Sequence, residues 1–412
     1  MSEALLVTFN AGSSTVKIGL FALDGTRPRR VGKGVIDFRE PPLRFRLIEG
    51  PDTFDIALDA RPGSELDIVL GEAFRRLSWH FDLGSVVAMG HRIVHGGESY
   101  AGPVLIDDEV LRVLETLVPL APLHQPQGLG LVRAIRRLRP ELRQTASFDT
   151  AFHRTHADVV RRFAIPRAMH DRGIKRYGFH GLSYRFIAAE MARREPALAR
   201  GRVVVAHLGS GASLCALEGG VSRDTSMGFS ALDGIPMATR CGALDPGVLL
   251  HLIAQEGYDA KRLEDLLYRR SGLLGVSGIS ADSRELLESD RPEARQALDL
   301  FCFRIAGEVA RLAATLGGLD AFVFTAGIGE HQPPIRAAVA ERLRWLGLLL
   351  DGAANAANDW RLTGTDSRIA AFAIPTDEEA VIAEDACAVV TAAGRPADPS
   401  AARRLGPASE RA

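Results

Sequence analysis

The sequence has few cysteines, and none of them lies close to another. Its 412 residues include only Cys215, Cys241, Cys302 and Cys387, without any Cys-x-x-Cys spacing. This pattern excludes a disulfide framework and a cysteine-based zinc site. We therefore expect reduced, mostly buried cysteines, as in a cytoplasmic protein.

An excess of charge of either sign is also lacking. Lys and Arg together number 50 and Asp and Glu 51, which gives a formal net charge of −1. This balance argues against a general basic surface for nucleic acid or an anionic membrane. No apolar run approaches the length of a membrane span, and the N-terminus lacks a basic segment followed by an apolar stretch. The sequence therefore predicts a protein that is not exported, has no membrane or nucleic-acid partner and works in the cytoplasm.

What the chain does have is the composition of a globular protein. Hydrophobic residues make up 46% and charged residues 25% of the sequence. A chain of this length is expected to form about two domains, each with a core of normal size.

The most informative segment is a predicted β-hairpin at residues 5–20. Two apolar runs with β-branched residues flank a small Asn-Ala-Gly-Ser-Ser turn at residues 10–14. Gly12 allows a close bend, and the hydroxyls around it and Lys17 add donors to the backbone N–H groups. The turn suits a phosphate group, although an ordinary polar turn has the same composition.

The chain repeats this plan. Residues 203–219 again run from an apolar strand through a Gly/Ser turn into a second strand, and residues 321–330 send an apolar strand into a glycine turn. None of the three segments contains the Gly-Lys-Ser/Thr loop or completes the dinucleotide glycine fingerprint. The repeat predicts a duplicated α/β fold in which two hairpins face each other across a phosphate-sized cleft.

Hydrophobic periodicity places the other elements. We predict strands at residues 34–38, 43–48, 53–58, 86–89 and 144–148, and helices at residues 66–81, 107–118, 126–139, 182–194, 246–270 and 292–316. A last helix, residues 377–393, is predicted to open with a capping box from Thr376 to Glu379. We divide the chain into a first domain of residues 1–150 that this helix completes, a second domain of residues 151–376, and a disordered tail of residues 394–412.

Residues suited to catalysis follow the predicted strands. The segment 90–98, Gly-His-Arg-Ile-Val-His-Gly-Gly-Glu, comes after strand 86–89, and Asp149 comes after strand 144–148. Ligands of open α/β sheets bind beyond the carboxyl ends of the strands. We therefore expect the functional site at this edge.

Taken in order, the motifs of the chain resemble those of the acetate kinase family. They are Asn-Ala-Gly-Ser-Ser-x-x-Lys at 10–17, Gly-His-Arg-x-Val-His-Gly-Gly-Glu at 90–98, Ala-Pro-Leu-His at 121–124, Phe-Asp-Thr-Ala-Phe-His at 148–153, Tyr-Gly-Phe-His-Gly at 177–181, His-Leu-Gly-x-Gly at 207–211, Asp-Thr-Ser-Met-Gly-Phe at 224–229, Gly-Ile-Ser-x-Asp-x-Arg at 278–284, Thr-Ala-Gly-Ile-Gly-Glu at 325–330 and Ile-Pro-Thr-Asp-Glu-Glu at 374–379. Their order and spacing hold from residue 5 to about residue 393.

The resemblance implies a fold and a reaction. The fold is that of the acetate and sugar kinase, heat-shock chaperone and actin superfamily. It has two ribonuclease H-like domains with mixed sheets and flanking helices, with a cleft between them, and the second domain binds the nucleotide. The reaction is reversible, direct in-line transfer of a phosphoryl group from ATP to acetate, giving ADP and acetyl phosphate. The resemblance also implies Mg²⁺, or Mn²⁺ in its place, and a homodimer.

The resemblance further implies roles for individual residues. Arg92 would bind the carboxylate of the acceptor, Arg240 and His180 would stabilise the moving phosphoryl group, and Asn10 and Glu378 would hold the metal. The positions implied for the acceptor methyl group are Val94, Leu123 and Phe179. The positions implied for the nucleotide are Lys17, His207, Leu208, Gly209, Ser210, Gly211, Asp282, Ser283, Arg284, Gly327, Ile328, Gly329, Glu330 and His331.

Asp149 takes a catalytic position that is sometimes described as that of a base. A small carboxylic acid titrates at about pH 4–5, so at pH 7 it has no proton for a base to remove. We therefore predict that Asp149 orients Arg92 or Arg240, or the water around the metal.

Several of these residues also have a purely structural interpretation. His91 and His95 have the spacing of a metal pair, but no third ligand follows, so we do not predict zinc. His124 and His153 are interpreted as structural histidines. Glu378 at a helix start would also stabilise the helix dipole whatever the function.

Departures from the family pattern leave the substrates partly open. Ser210 and His331 stand where the family has asparagine, and many relatives have a larger residue at Ser283. The donor could therefore be ATP, another nucleotide or pyrophosphate. Ala231 replaces a proline near the acceptor, which leaves propionate or another short-chain carboxylate as alternatives, while Val94 favours acetate. A sugar kinase of the same superfamily is more remote, because the implied acceptor pocket is apolar.

Overall fold

The computed structural model describes residues 3–12, 15–24, 27–38, 42–61 and 63–393. The predicted tail, residues 394–412, and two serines of the first turn, Ser13 and Ser14, lie outside the described residues. Within the described ranges, no helix is both long enough and apolar enough to cross a membrane.

The described residues form strands that are grouped into two sheets. The strands are β1 (Leu5–Ala11), β2 (Thr15–Asp24), β3 (Arg27–Asp37), β4 (Arg44–Glu49), β5 (Asp52–Ala57), β6 (Val86–Ile93), β7 (Val104–Leu105), β8 (Arg143–Phe148), β9 (Arg202–Leu208), β10 (Ala212–Glu218), β11 (Val221–Thr225), β12 (Ala321–Thr325) and β13 (Ala370–Ala373). The first sheet has the order β5-β4-β3-β2-β1-β6-β8-β7, and the second has the order β11-β10-β9-β12-β13.

Helices connect and cover these sheets. They are α1 (Leu66–Leu77), α2 (Asp108–Thr116), α3 (Gln125–Leu138), α4 (Asp158–Arg161), α5 (Arg167–Asp171), α6 (Gly181–Arg194), α7 (Pro196–Ala199), α8 (Pro246–Ala254), α9 (Ala260–Arg269), α10 (Gly272–Ser277), α11 (Ser283–Glu288), α12 (Pro292–Leu316), α13 (Ala326–His331), α14 (Pro333–Arg342), α15 (Gly352–Ala357) and α16 (Glu378–Ala393). Short 3₁₀ segments lie at Leu83–Ser85, Val118–Leu120, Asp149–His153 and Arg344–Leu346.

The two sheets contain the same arrangement of five strands, as the repeated hairpins predict. Strand β1 is antiparallel to β2 and parallel to β6, just as β9 is antiparallel to β10 and parallel to β12. In the first sheet, β3 is antiparallel to β2 and β8 is parallel to β6. In the second sheet, β11 is antiparallel to β10 and β13 is parallel to β12. Five strands of each sheet therefore have the same order and direction, and the predicted duplicated α/β fold is confirmed.

Apolar helix faces cover both sheets. Helix α12 places Phe301, Ile305 and Val309 in the core of the second sheet, and α1 and α3 contribute to the core of the first. On the other face of the first sheet, α16 buries Ala383 and Ala386 against the strands. An added Cβ at Gly90 of β6 would lie 2.7 Å from a side-chain carbon of Ile382, so glycine is required for this close packing.

Several boundaries differ from the sequence prediction. Helix α1 ends at Leu77 rather than at residue 81, and β6 continues beyond residue 89 to Ile93. The continuation occurs because β1 pairs with β6 as far as His91, and β8 pairs with it throughout that segment. The predicted glycine turn at residues 326–330 is instead the start of α13.

The start of the last helix also needs a correction. The Asp377 carboxylate accepts a hydrogen bond of 2.9 Å from the Ala380 backbone N–H, so Asp377 rather than Thr376 caps α16. The Thr376 hydroxyl is instead 3.0 Å from the Ser183 hydroxyl of α6. The predicted Thr-x-x-Glu capping box is therefore wrong by one residue.

Candidate active site

A cavity of about 470 Å³ opens between the two sheets. Both hairpins reach it: Gly12 and Thr15 from the first sheet, and Gly209 and Gly211 from the second. Of the predicted site residues, those on its walls are Asn10, Lys17, Arg92, Val94, Asp149, Phe179, His180, His207, Gly209, Ser210, Gly211, Arg240, Gly327, Glu330 and Glu378. The structure therefore brings together side chains that are far apart in the sequence.

The remaining predicted residues lie off these walls. They are Leu123, Leu208, Asp282, Ser283, Arg284, Ile328, Gly329 and His331. Asp282 caps α11 by accepting a 2.8 Å hydrogen bond from the Arg284 backbone N–H. The Arg284 side chain is 76% exposed and that of His331 is 72% exposed. The assignment of Asp282, Arg284 and His331 to nucleotide binding stays a prediction.

The apolar part of the cavity is built differently from the prediction. Val94 and Phe179 line it, whereas Leu123 does not, and Ala231 is an additional apolar residue on the wall. In the turn that leads into α3, the residue that reaches the cavity is His124, the immediate neighbour of Leu123. Adjacent residues of a turn point in different directions, so the motif alone could not decide between them.

Arg92 and Asp149 form a two-pronged ion pair at the carboxyl ends of β6 and β8. Arg92 Nε donates to Asp149 Oδ1 at 3.0 Å, and Nη2 donates to Oδ2 at 2.6 Å. Burial raises the pKa of Asp149, and the positive charge of Arg92 opposes that rise. Both carboxylate oxygens are therefore used to hold the guanidinium plane, an arrangement that supports the orienting role predicted for Asp149.

Asn10 connects this pair to two carboxylates at the start of α16. Its Oδ1 accepts from Arg92 Nη1 at 3.1 Å, while its Nδ2 donates to Glu378 at 2.7 Å and to Glu379 at 2.8 Å. Burial raises the pKa of Glu378, but the charges of Arg92 and Lys17 outweigh it and hold that pKa below its usual value. The wall near Lys17 therefore carries concentrated negative charge.

Arg240 faces the same cavity in a different environment. Its Nη1 donates to the Ala231 carbonyl at 3.2 Å, and its Nη2 lies 3.0 Å from His124 Nε2. Among the described residues, no carboxylate forms a salt bridge with it. Burial lowers the pKa of Arg240, and the charge of Arg92 adds to that effect. A largely desolvated cation without an acidic partner is suited to bind an anion.

Arg240 and His180 converge on one small space. A Cβ added to Gly211 would lie 3.3 Å from His180 Nε2 and 3.7 Å from Arg240 Nη1. Both groups therefore border the position that a side chain would take on the turn between β9 and β10. The absence of a side chain at Gly211 keeps that space open for a ligand.

His180 is held by its backbone and by a second histidine. It has φ +57°, a left-handed conformation uncommon for a non-glycine residue, and it precedes α6. Its ring stacks on that of His207 with 4.2 Å between centroids. Burial lowers the pKa of His180 well below its ordinary value and that of His207 to about 4, so both rings are neutral at pH 7.

Gly181 allows the His180 segment to lie against the 3₁₀ segment that begins at Asp149. A Cβ at Gly181 would come within 1.9 Å of the Asp149 carbonyl oxygen. Only glycine permits this approach between the start of α6 and the 3₁₀ segment that carries Asp149. Ala326, another residue on the cavity wall, also has a positive φ, +64°. Such strained conformations are concentrated at functional sites.

Sequence reasoning missed some residues of the site. His124 was expected to be structural, yet it lines the cavity and contacts Arg240; burial and the charges of Arg240 and Arg92 lower its pKa to about 3. Glu379 also lines the cavity. The signal for both was their place in the family motifs at 121–124 and 374–379. The structural interpretation does fit His153, which is buried between Ser222 and a backbone carbonyl.

The residues present fit a hard divalent cation. Glu378 and Glu379 offer carboxylate oxygens beside Asn10, whose amide oxygen accepts from Arg92, and Mg²⁺ is commonly bound by one or two carboxylates together with substrate phosphates and water. The described residues contain no group of three or more His, Cys, Asp and Glu side chains that could enclose a metal. His91 Nε2 lies 2.8 Å from the Gln144 amide oxygen.

Comparisons with known proteins show which family this chain is similar to. The model of the acetokinase family matches residues 5–384. The acetate kinase of Methylocella silvestris is 45% identical over 93% of this chain and 98% of its own length, and that of Nitrobacter hamburgensis is 47% identical over 93% and 95%. Solved structures include the acetate kinase of Porphyromonas gingivalis, with TM-score 0.83, 33% identity and coverage of 94% and 100%. A propionate kinase of Francisella tularensis has TM-score 0.86, 31% identity and coverage of 93% and 99%.

Proposed function

Because this chain belongs to the acetokinase family, we propose that it transfers a phosphoryl group reversibly between ATP and acetate. The products of the forward reaction are ADP and acetyl phosphate. The observation that carries the proposal is the pair of arginines in one cavity. Arg92 is paired with a carboxylate and lies close to small apolar residues, whereas Arg240 has no acidic partner among the described residues.

Arg92 and its apolar neighbours suit a short carboxylate as the acceptor. Asp149 takes one N–H of Arg92 Nη2, and the second N–H of that nitrogen can donate to a carboxylate oxygen. Val94, Phe179 and Ala231 offer an apolar wall for a methyl group. A sugar would need several polar partners in their place, so the geometry favours acetate.

The second hairpin and α13 suit the donor. Gly209, Ser210 and Gly211 on one turn and Gly327 on α13 present backbone to the cavity, and Lys17 faces them from the first hairpin. Backbone N–H groups with a nearby lysine are the usual means of holding the phosphates of a nucleotide. ATP is therefore the donor that we propose.

The reaction needs alignment and positive charge more than proton transfer. An acetate oxygen attacks the γ-phosphorus and forms the new P–O bond, while the bond to the β–γ bridging oxygen breaks and ADP keeps the electron pair. Arg92, oriented by Asp149, holds the acetate. Arg240 and the neutral ring of His180 donate hydrogen bonds to the phosphoryl oxygens at the space above Gly211.

We assign the metal to Glu378 and Asn10. Mg²⁺, or Mn²⁺ in its place, supplies positive charge to the phosphate oxygens when it is bound with the nucleotide. The Glu378 carboxylate is the main ligand that the chain offers. Asn10 lies beside it and donates hydrogen bonds to both Glu378 and Glu379.

Replacing Glu378 or Asn10 with alanine is expected to raise the Mg²⁺ concentration for half-maximal activity by about tenfold or more. Glu378→Ala removes a carboxylate ligand, and Asn10→Ala removes the side chain that holds Glu378 and Glu379 in position. The measurement is a Mg²⁺ titration of initial rates for each variant. Glu384→Ala is the matched control, because Glu384 is exposed on the same helix and should leave the titration unchanged. If Glu378→Ala lowers the melting temperature but keeps the wild-type Mg²⁺ dependence, Glu378 acts only through the helix dipole.

We also propose that the two sheets belong to separate domains that close on the substrates. Residues 1–150 with the helix at 377–393 would form the first, and residues 151–376 would form the second. Two observations support this division: α16 packs on the first sheet, and the cavity takes its walls from both sheets. Closure would bring Lys17 and Arg240 towards the same phosphate groups and exclude water.

A homodimer fits one surface of the second domain. In helix α8, Val248, Leu250 and Ile253 are 40%, 67% and 50% exposed, and Leu244 just before it is 41% exposed. A helix that exposes apolar side chains on more than one side is typical of a protein interface. We propose that α8 packs against a second copy of the chain.

We place the reaction in the cytoplasm, where ATP and ADP are available. None of the four cysteines, all of which lie in described residues, forms a disulfide. Reduced thiols are usual for proteins of a reducing compartment.

A panel of donors and acceptors tests the substrates directly. We expect the highest kcat/KM with acetate and ATP, a lower value with propionate, and the lowest with butyrate. Each added methylene group must fit against the apolar wall of Val94, Phe179 and Ala231. GTP and pyrophosphate should be poorer donors. A preference for pyrophosphate, or for propionate over acetate, would refute the corresponding part of the proposal.

A further inference from the structure

The proposed function leaves one buried polar group of the active-site helix unexplained. Tyr184 has no exposed surface, although it carries a hydroxyl group. It lies one helical turn after His180, with a 3.1 Å hydrogen bond from its backbone N–H to the His180 carbonyl. Residues four apart share a helix face, so the tyrosine hydroxyl and the histidine ring project towards the same strand, β10.

The two side chains meet at Ser213 of β10. The Ser213 hydroxyl oxygen lies within hydrogen-bond distance of the Tyr184 hydroxyl and 2.8 Å from His180 Nδ1. Ser213 is also fully buried. Within the part of the chain that the structure describes, these are the side-chain hydrogen bonds of all three groups. The position of each proton can therefore be deduced from the number of donors and acceptors.

We propose that Tyr184 and Ser213 are positioning residues that hold His180 in the tautomer with its proton on Nε2. This inference rests on the proposed function, because it explains how His180 becomes a donor to the transferred phosphoryl group. Neither Tyr184 nor Ser213 lines the cavity, so both act through His180.

The count of donors and acceptors gives this tautomer. Ser213 is the acceptor within reach of the Tyr184 O–H, and a buried hydroxyl proton without an acceptor would cost about 1–3 kcal/mol. When Tyr184 donates to Ser213, the Ser213 proton must be donated to its other partner, His180 Nδ1. Nδ1 then has no proton of its own, and the single proton of the neutral ring lies on Nε2. The opposite tautomer would leave one of the two hydroxyl protons, that of Tyr184 or that of Ser213, without an acceptor.

The geometry directs this proton to the reacting group. His180 Nε2 lies on the side of Gly211, in the space that it shares with Arg240 Nη1. Stacking on His207 fixes the plane of the ring. The chain Tyr184–Ser213–His180 therefore provides a donor that is preoriented before the substrate arrives, which avoids reorganisation during the reaction.

Three variants test the inference by kinetics. Ser213→Ala removes the partner of Nδ1, and we expect kcat to fall by about tenfold or more with little change in the KM for acetate. Tyr184→Phe keeps the ring and removes only the hydroxyl, so we expect a smaller decrease, and the double variant should resemble Ser213→Ala. Tyr177→Phe is the matched control. The hydroxyl of this buried tyrosine donates to the Gly173 carbonyl, so its removal should leave kcat unchanged.

The ring nitrogens provide a readout that a merely structural role would not change. In wild-type protein with ¹⁵N-labelled histidine, with His180 assigned by comparison with His180→Gln, we expect a protonated Nε2 and an unprotonated Nδ1. In Ser213→Ala we expect a mixture of tautomers or a reversal. A wild-type His180 with its proton on Nδ1 would overturn the inference, even if a variant failed to fold. So would full kcat in Ser213→Ala. Absence of acetyl phosphate formation by the wild type would refute the proposed function instead, while the nitrogen signals still decide the tautomer.

Discussion

Replacing Arg240 with alanine is expected to lower kcat by about 10³-fold, with little change in the KM for acetate. Arg240 is a largely desolvated guanidinium without a carboxylate partner among the described residues, and it borders the space above Gly211. Its interaction is therefore strongest when negative charge is spread over the phosphoryl oxygens in the transition state. Steady-state kinetics with acetate and MgATP measure both constants.

Two controls separate this role from structural damage. Arg240→Lys keeps the charge but loses the planar fork, so we expect partial activity between that of alanine and that of wild type. Added guanidinium should partly restore Arg240→Ala and leave Arg202→Ala unaffected, because Arg202 forms a surface ion pair with Asp320. A change confined to the KM for acetate would show that Arg240 binds the acceptor rather than the moving group.

Replacing Arg92 with alanine is expected to weaken acetate binding as well as turnover. The KM for acetate should rise by about tenfold to 100-fold, the effect of losing a hydrogen bond to a charged group. The variant also leaves Asp149 buried without its ion-pair partner. The KM for ATP should change much less, and a comparison of both constants in one kinetic series checks this. An Arg92→Ala enzyme with unchanged acetate saturation would contradict the acceptor role.

Asp149→Asn separates orientation from proton transfer. The variant keeps one oxygen for Arg92 and loses the two-pronged contact, so we expect kcat to fall by about 10²-fold, as for a misplaced binding group. Between pH 6 and 8 the rate should remain flat in both enzymes, because acetate is already ionised and burial holds the pKa of His207 at about 4 and that of His124 at about 3. A wild-type acidic limb that disappears in Asp149→Asn would identify a general base.

Local chemistry made part of the site predictable. The glycine and hydroxyl residues of each hairpin turn identified both turns that reach the cavity. The pKa of acetate led to the orienting role for Asp149, and its two bonds to Arg92 agree with that role. Such inferences depend on residues that are close in sequence or on the substrate, and neither requires knowledge of the fold.

Other features depended on contacts between distant residues. Strand β6 continues through His91 and Arg92 because strands on both sides pair with it, which the polar composition of this segment conceals. His124 and Arg240 are separated by 116 positions, so local sequence patterns could not predict their contact. Tyr184 has the periodicity of an ordinary core residue, and only the position of Ser213 shows what its hydroxyl binds.

The most direct test of the central claim is to trap the acyl phosphate. Purified protein is incubated with acetate, ATP and Mg²⁺ in the presence of hydroxylamine, and the acetyl hydroxamate is measured beside ADP. We expect equal amounts of both products from the wild type, and about 10³-fold slower formation of both by Arg240→Ala. Formation of ADP without hydroxamate, or of a sugar phosphate when glucose replaces acetate, would contradict the assignment of this cavity to phosphoryl transfer onto acetate.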